Sequence, residues 1–433
     1  ERTLYNHILS TQHPEHGGYV YFTPARPRHY RVYSSPNEGM WCCVGSGMEN
    51  QSKYSQFIYT RSKDSLYVNL FVASELNWNE KKVKIKQQTI FPYEEQTSLE
   101  VAEGDARFTL MIRYPSWVTD GALKITVNGK TIAYANHPSS YVAINRLWKK
   151  GDVVNITLPM HNTVERMPNV ANYIALVHGP VLLAAKAGTE DLKGLVAGDS
   201  RWAHIAGGKK LPLDKAPIII EDDIAALAGR LKPVAGKPLN FTVADIKMIN
   251  APDVVLEPFY KIHDARYMMY WMALSNAGYR SYLDSIAAAE KQKLDLQKRT
   301  VDFVAPGEQQ PEADHFIESH NSTTGNYLDE FWRDARGGGD FSYRLTTGHE
   351  TNLSLIVRYW GNENGNRKFD VYIDNEKLVT ENTAGKWNLR KFQEVEYEIP
   401  GAMLKDKDHI RVKFQALPGN TAGAVYYIRL ARK

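Results

Sequence analysis

The sequence holds very few cysteines and no long apolar run, and each absence excludes a class of protein. Only Cys42 and Cys43 occur in 433 residues, so a disulfide framework is excluded. No stretch of about 18 apolar residues is present, so we expect no membrane span. The sequence starts at Glu1 without a methionine or a signal peptide, and we interpret it as part of a larger protein.

Charge of one sign is also scarce. The 53 Lys and Arg residues nearly balance the 49 Asp and Glu residues, which gives a net charge of +4, and no basic block stands out. The electrostatic attraction on which non-specific nucleic-acid binding depends is therefore missing, and we expect no nucleic-acid partner. Hydrophobic residues make up 43% of the chain, which predicts a globular protein of about two to four domains.

Alternating apolar and polar residues dominate the first half of the chain. Residues 66–72 and 107–113 show this period of two, and Asn128-Gly129 joins two short β patterns as tight hairpin turns do. Strands at this spacing, without long helices between them, predict a β-sandwich over residues 61–185.

The second half of the chain predicts a further all-β unit. Residues 186–305 are expected to form a mixed α/β connecting region with one surface helix near 279–299, and residues 306–312 have the composition of a linker. Six or more short strand patterns then predict a C-terminal β-sandwich over residues 315–433, similar in shape to carbohydrate-binding modules. The predicted fold class is mainly β, with tandem β-sandwich or jelly-roll domains.

The adjacent cysteines are the residues best suited to chemistry. Consecutive Cα atoms lie about 3.8 Å apart, below the usual disulfide span of about 4.4–6.8 Å, so a bridge between Cys42 and Cys43 would be strained. Two thiols beside a Gly-rich turn are explained as metal ligands, as a nucleophile, or as small buried hydrophobic residues. These three interpretations remain open on composition alone.

Other candidate residues have weaker support. A zinc site needs about four ligands, and the nearby His16, His29, Glu38 and Glu49 do not stand at a dependable ligand spacing. A glycosidase of the usual kind needs two carboxylates about 5–9.5 Å apart. The pair Asp222-Asp223 is one candidate, although a solvated loop explains it better.

One stretch of the sequence resembles a known family. The run Trp41-Cys42-Cys43, followed by a Gly-containing turn and Asn50, resembles the paired-cysteine motif of bacterial β-L-arabinofuranosidases of glycoside hydrolase families 127 and 146. Residues 1–9 are similar to the helix that this family carries ahead of the motif, and residues 18–24 are similar to the strand between them. Residues 38–41 resemble the family 146 type of gut Bacteroidetes.

The resemblance implies a fold and a mechanism. It implies an (α/α) barrel followed by β-sandwich domains, with residues 1–60 as a short helical remnant of that barrel. It also implies retaining, exo-acting hydrolysis with a zinc-bound Cys42 thiolate as nucleophile and Cys43 as a further zinc ligand. Glu1 and Tyr21 match positions that line the sugar pocket. The thiolate is both the nucleophilic and the metal-binding form of cysteine, which suits these roles.

The resemblance further implies what this chain lacks. In the family, the acid/base glutamate and the other zinc ligands, one Glu and one Cys, lie upstream of the helix at residues 1–9. We therefore expect half a zinc site and no activity from this chain alone. Without a barrel, Leu4, Ile8 and the aromatic residues within 19–22 are expected to lack a packing partner, and self-association through this segment would cover them.

The implied substrate is a plant-derived oligosaccharide, and the implied location is periplasmic or secreted. The competing interpretation is a non-catalytic carbohydrate-binding or scaffold β-protein in which Cys42 and Cys43 are buried structural residues. The two interpretations differ in whether these thiols are exposed.

Overall fold

The computed structural model describes residues 1–170, 172–243, 245–251 and 253–433, which form two compact units, Glu1–Ser281 and Tyr282–Lys433. Strands hold 43% of the residues and helices 17%, which confirms the predicted mainly β fold class. Among the described residues, no helix combines the length and the apolar character needed to cross a membrane.

The first unit contains a β-sandwich whose two sheets enclose one apolar core. In sheet order, the first sheet comprises Ser140–Trp148, Ala106–Tyr114, Ser65–Val68 and Tyr59–Ser62. The second comprises Ser74–Trp78, Val83–Thr89, Gln96–Glu103, Val153–Thr157, Lys124–Val127 and Lys130–Thr131. Alternate residues of Ala106–Tyr114 are buried, among them Phe108 and Ile112, as the period of two predicts.

The predicted hairpin at Asn128-Gly129 is confirmed. It joins the paired strands Lys124–Val127 and Lys130–Thr131. Asn128 and Gly129 have φ values of 51° and 76°, the left-handed conformations that a two-residue type I′ turn requires at both positions.

A ten-stranded sheet follows the sandwich along the chain. Its main path comprises Lys232–Pro233, Phe241–Thr242, Val255–Pro258, Val181–Lys186, Tyr173–His178, Trp271–Leu274, Ile218–Ile220 and Met248–Ile249, with Asn162–Arg166 and Tyr267–Met268 pairing at its side. Each of these strands has only two to six residues, and several pair with strands far along the chain, such as Tyr173–His178 and Ile218–Ile220 with Trp271–Leu274.

The first unit also contains short helical segments. They are Leu4–Ile8, Leu9–Thr11, Cys42–Asn50, Ser55–Ile58, Asn79–Lys81, Arg201–His204, Leu213–Lys215, Ile224–Ala226, Leu227–Arg230 and Phe259–Lys261. A two-stranded parallel pair joins Tyr33–Ser34 to Val196–Ala197. Residues 18–24, expected as a strand, make only isolated bridges, at Tyr19 and Val20.

The N-terminal segment packs within the first unit. The expectation that it lacks a partner is wrong for Leu4, which packs on the sandwich core, and for Tyr19, whereas Phe22 is 37% exposed. Tyr5 is 6% exposed, and its ring lies 6.1 Å from that of Phe91 and 6.0 Å from that of Tyr260. Tyr19 and Val20 are likewise buried. The sandwich and the Phe259–Lys261 region supply the apolar surface that sequence analysis assigned to an absent barrel.

The second unit is built on a nine-stranded sheet. Its path comprises Glu376–Asn382, Lys368–Ile373, His409–Ala416, Glu330–Thr346, Thr421–Arg432, Leu353–Trp360 and Phe392–Glu398, with Thr300–Val304 and Glu318–Tyr327 pairing at its side. The helices here are Asn276–Arg299, which begins in the first unit, Gln309–Asp314 and Gly401–Leu404. The helix predicted near 279–299 is therefore present.

The segment 306–312 is not the linker that its composition predicts. It enters the helix Gln309–Asp314, and Glu312 is 6% exposed. The Glu312 carboxylate accepts hydrogen bonds from Nε of Arg333 and from the hydroxyl of Tyr343, both at 2.6 Å. A buried ion pair with a third partner fixes this segment to the sheet, so Pro and Gly here mark a packed turn.

Candidate active site

The two cysteines occupy the first two positions of the helix Cys42–Asn50. The helix begins where Trp41 is extended (φ −63°, ψ 136°), after a loop in which Gly39 has φ +60°. The indole Nε1 of Trp41 donates a hydrogen bond to the Asp199 carbonyl at 2.7 Å. This contact holds the start of the helix against the segment around Asp199.

Both thiols are exposed. Neither cysteine is therefore a core-filling residue, and the interpretation that required buried structural cysteines loses its premise. By contrast Val44, the next residue, is 1% exposed. The helix thus buries its third residue and presents the first two outward.

Cys42 and Cys43 line an open cleft of about 710 Å³. Its walls come from five parts of the first unit: the N-terminal helical turns, the segment 20–25, the cysteine helix, Leu182, and the region 259–270. Tyr21 lies in this cleft, so the structure brings three of the four sequence-predicted site residues together. The volume falls within the range of about 300–1,000 Å³ typical of small-molecule sites.

Glu1 does not line this cleft. Its side chain is 3% exposed, and one carboxylate oxygen lies 3.5 Å from Nη1 of Arg113 on the sandwich. The other oxygen, Oε1, is buried without a hydrogen-bond partner. The structure therefore places Glu1 at the junction of the N-terminal segment and the sandwich.

Tyr21 is held between other rings. Its ring centroid lies 4.5 Å from that of Phe22 and 5.8 Å from that of His204. His204 is 1% exposed, and burial lowers the pKa of its ring. Because His204 also approaches Gly39, it connects Tyr21 with the loop that leads into the cysteine helix.

Arg31 ties two walls of the cleft to each other. It is 3% exposed, and its guanidinium donates hydrogen bonds to the carbonyls of Ser10 and Ile262. The guanidinium carbon lies 4.5 Å from the ring centroid of Phe259, which lines the cleft. A buried cation needs such carbonyl and ring partners, so this residue fixes the N-terminal turns relative to Phe259.

Asn6 fixes the same N-terminal turns to the ten-stranded sheet. Its Nδ2 donates to the Pro180 carbonyl at 2.8 Å, and its Oδ1 accepts from the Leu182 amide at 2.7 Å. Asn6, His7, Ser46, Asn50 and Tyr270 all line the cleft, and sequence analysis did not assign them there. For Ser46 and Asn50 a signal existed, because they stand four and eight residues after Cys42 on one helix face.

The other sequence candidates have structural contacts elsewhere. The ring of His16 stacks on that of His13, with centroids 3.9 Å apart. Asp223 accepts hydrogen bonds from the amides of Ala225 and Ala226 at a helix start, and Asp222 accepts from Asn276. Asp222 and Asp223 therefore cap local structure, as carboxylates at helix starts commonly do.

The residues of the cleft fit a zinc ion in kind but not in number. Two thiols are ligands that zinc favours, and a closed site takes about four. Within the part of the chain that the structure describes, no three His, Cys, Asp or Glu side chains come together as a metal-binding group. Cys42 and Cys43 therefore provide two donors of a set that needs others.

Family models match nearly the whole chain in four consecutive segments. Residues 1–56 match the catalytic domain of GH127 β-L-arabinofuranosidases, and residues 65–160 match the GH127 middle domain. Residues 163–273 and 295–431 match two families of unknown function. The cysteine helix lies within the catalytic-domain match. A search of curated proteins finds no match to this chain.

Solved structures resemble parts of the chain. A GH127 β-arabinofuranosidase matches 63% of this chain and 46% of its own length at 20% identity, with a TM-score of 0.46. A GH127 β-L-arabinofuranosidase from Geobacillus stearothermophilus matches 63% and 45% at 18% identity, with a TM-score of 0.43. A family 35 carbohydrate-binding module from Clostridium thermocellum matches 30% and 98% at 12% identity, with a TM-score of 0.23. The chain spans less than half the length of the two enzymes.

Proposed function

From the premise that this is a GH127-like protein, we propose that it carries the nucleophile of a retaining, exo-acting glycoside hydrolase. The proposed substrates are β-L-arabinofuranosides of plant cell-wall polysaccharide, and the proposed location is periplasmic or secreted. The observation that supports this most is the exposure of Cys42 at the start of a helix, in a cleft shared with Tyr21.

The proposed chemistry is a double displacement at the anomeric carbon. The Cys42 sulfur attacks that carbon, the glycosidic bond breaks, and the departing oxygen receives a proton from an acid. Water then displaces the sulfur, so the sugar leaves with its configuration retained. Tyr21 is proposed to contact the sugar ring, because aromatic side chains offer an apolar surface with a polar group at one end.

The acid is proposed to come from outside these residues. Among the described residues that line the cleft there is no carboxylate, and a glycosidase acid is ordinarily an Asp or Glu. We therefore expect this chain alone to give no turnover.

Zinc is proposed as the cofactor, held in part by Cys42 and Cys43. When bound it would favour the thiolate forms of both side chains and hold the sulfurs in place. The remaining ligands, like the acid, would come from outside the residues described.

The test compares this chain with a longer protein in which a complete GH127 catalytic domain precedes residue 1. Zinc is measured by elemental analysis, and turnover with p-nitrophenyl β-L-arabinofuranoside. We expect zinc and turnover only in the longer protein. There, Cys42→Ala should lower kcat by about a thousandfold or more, and Cys43→Ala should remove the zinc. Ser52→Ala is the control, because Ser52 is exposed just beyond the same helix and does not line the cleft. This variant should keep both the zinc and the turnover.

Two results would overturn the proposal. The first is a Cys42→Ala variant of the longer protein whose kcat matches the parent. The second is a longer protein that hydrolyses the substrate although elemental analysis finds no zinc in it. Turnover by the 433-residue chain alone, lost in Cys42→Ala, would contradict the expectation that the acid lies elsewhere.

A further inference from the structure

A row of four aromatic rings runs across one end of the sheet in the second unit. The row consists of Tyr327, Trp360, Phe392 and Tyr426. Successive ring centroids lie 5.0, 5.3 and 4.7 Å apart, each pair inclined by 65–71°. Trp360 and Phe392 are directly paired on neighbouring strands, so their side chains share one face of the sheet.

The aromatic row is open at one end and closed at the other. Tyr327 is 45% exposed, Trp360 and Phe392 are half-buried, and Tyr426 is 6% exposed. Elsewhere on this sheet face, Leu296 of the long helix packs against Ile356, Tyr427 and Ala431. The helix thus covers one part of the face and leaves the rings around Tyr327 accessible.

Charged groups stand beside the aromatic row. Nη1 of Arg358 lies 2.8 and 3.0 Å from the two oxygens of Glu330, and Nη2 lies 2.8 Å from Oε1 of Glu394. The guanidinium carbon of Arg358 lies 5.6 Å from the ring centroid of Phe392. The carboxylates of Glu330 and Glu394 are 34% and 40% exposed. A carboxylate offers about four lone-pair positions, so both retain capacity to accept further hydrogen bonds.

We propose that the aromatic row, with Glu330, Arg358 and Glu394, is a binding site for a neutral oligosaccharide. Half-exposed rings offer apolar surface to the C–H faces of sugars, and the carboxylates accept hydrogen bonds from hydroxyl groups. Arg429 also lies close to Glu394, so two guanidinium groups balance the two carboxylates and the site carries no net charge. Such a site offers a polyanion no net attraction and suits uncharged sugars.

This inference does not rest on the function proposed for Cys42. The aromatic row lies within residues 295–431, which match a family of unknown function, and no step of glycoside cleavage enters the argument. A failure of sugar binding here would leave the proposal for Cys42 as it stands.

The experiment is affinity electrophoresis of the full chain in native gels that contain arabinan, galactan or polygalacturonate. We expect retardation in at least one of the two neutral gels and none in polygalacturonate. Tyr327→Ala and Trp360→Ala should each raise Kd for the retarding polymer by about tenfold. The control is Phe316→Ala, a 61% exposed aromatic residue of the same unit outside the row, which should migrate like the parent in every gel.

Tyr327→Ala keeps the test decisive even if Trp360→Ala unfolds, because Tyr327 is an exposed residue at a hairpin end. Near-ultraviolet circular dichroism verifies that each variant is folded. Retardation only in polygalacturonate, retardation that a folded Tyr327→Ala variant keeps in full, or no retardation in any gel would overturn the proposal. A Tyr327→Ala variant that changes its oligomeric state but is still retarded would also overturn it, because the aromatic row would then be a contact between copies of this chain.

Discussion

A Cβ atom added to Gly47 would stand 2.7 Å from Cδ1 of Tyr19, so the cysteine helix contacts this ring through a residue without a side chain. Gly47 is buried, and Tyr19 is 8% exposed. The ring is also constrained through its backbone, because its amide donates to Oγ of Ser34 at 3.0 Å. The position of the cysteines thus depends on this glycine.

We expect Gly47→Ala to destabilise the first unit by about 1–3 kcal/mol, because overpacking forces the helix and the ring apart. The measurement is chemical denaturation, together with the rate at which a thiol reagent labels Cys42 and Cys43. Gly45→Ala in the same helix is the control. Its Cβ would lie 3.6 Å from its nearest neighbour outside the helix, the Met40 carbonyl, and alanine is the better helix former. Equal losses in both variants would contradict this account.

Arg31→Lys is expected to destabilise the first unit by about 2–4 kcal/mol. The buried guanidinium of Arg31 donates hydrogen bonds to two carbonyl groups at once. The ammonium group of a lysine cannot reproduce this forked arrangement or the stacking of the guanidinium on Phe259. Urea denaturation measures the loss. The control is Arg61→Lys, since the Arg61–Glu80 pair is more than half exposed on both sides, and it should change stability by less than about 0.5 kcal/mol. If Arg31→Lys also changed the stability by less than about 0.5 kcal/mol, Arg31 would not hold these segments together.

The stability of the first unit should fall as the pH falls from about 6.5 towards 4. Burial, aided by the charge of Arg31, lowers the pKa of His263 from 6.5 to about 4. In this window the unfolded chain binds more protons than the folded one, so the free energy of unfolding rises with pH. Denaturation midpoints at several pH values measure the slope.

His263→Gln should reduce that slope, because glutamine cannot take up the proton. His137→Gln is the control, since the His137 side chain is 78% exposed and we expect the parent's slope to remain. An unchanged slope in His263→Gln would assign the pH dependence to other groups, among them His178, whose pKa burial also lowers to about 4.

Glu312→Gln is expected to destabilise the second unit by about 3–5 kcal/mol. It leaves the Arg333 guanidinium, only 12% exposed, without its charged partner, and such an unpaired buried charge is costly. Thermal unfolding of the chain, followed by circular dichroism, measures the effect. The control is Glu308→Gln, because Glu308 stands at the start of the same helix and its side chain is exposed. This variant should leave the free energy of unfolding nearly unchanged. Near-neutral results for both variants would restore the interpretation of this segment as a linker.

Sequence alone determined features that depend on neighbouring residues. The alternation in residues 107–113 predicts the strand Ala106–Tyr114, and Asn128-Gly129 predicts the turn between Lys124–Val127 and Lys130–Thr131. Both signals are local, because they depend only on the period of two and on a left-handed φ. The strand Glu318–Tyr327 carried no such signal: nearly all of its residues are exposed, so neither face demands apolar side chains. Residue type also singled out Cys42 and Cys43, but their proposed roles came from a family resemblance and stay a prediction.

Tertiary structure decided where those cysteines lie and what surrounds them. Phe259, Met269 and Tyr270 line the cleft with Cys42 from more than 200 positions along the chain, and no local pattern specifies such a meeting. The structure also decided that Glu1 lies apart from the cleft and that Arg31 is buried. Each of these outcomes depends on apolar contacts and on carbonyl hydrogen bonds between segments that are distant in the chain. Such contacts form only when the chain has folded.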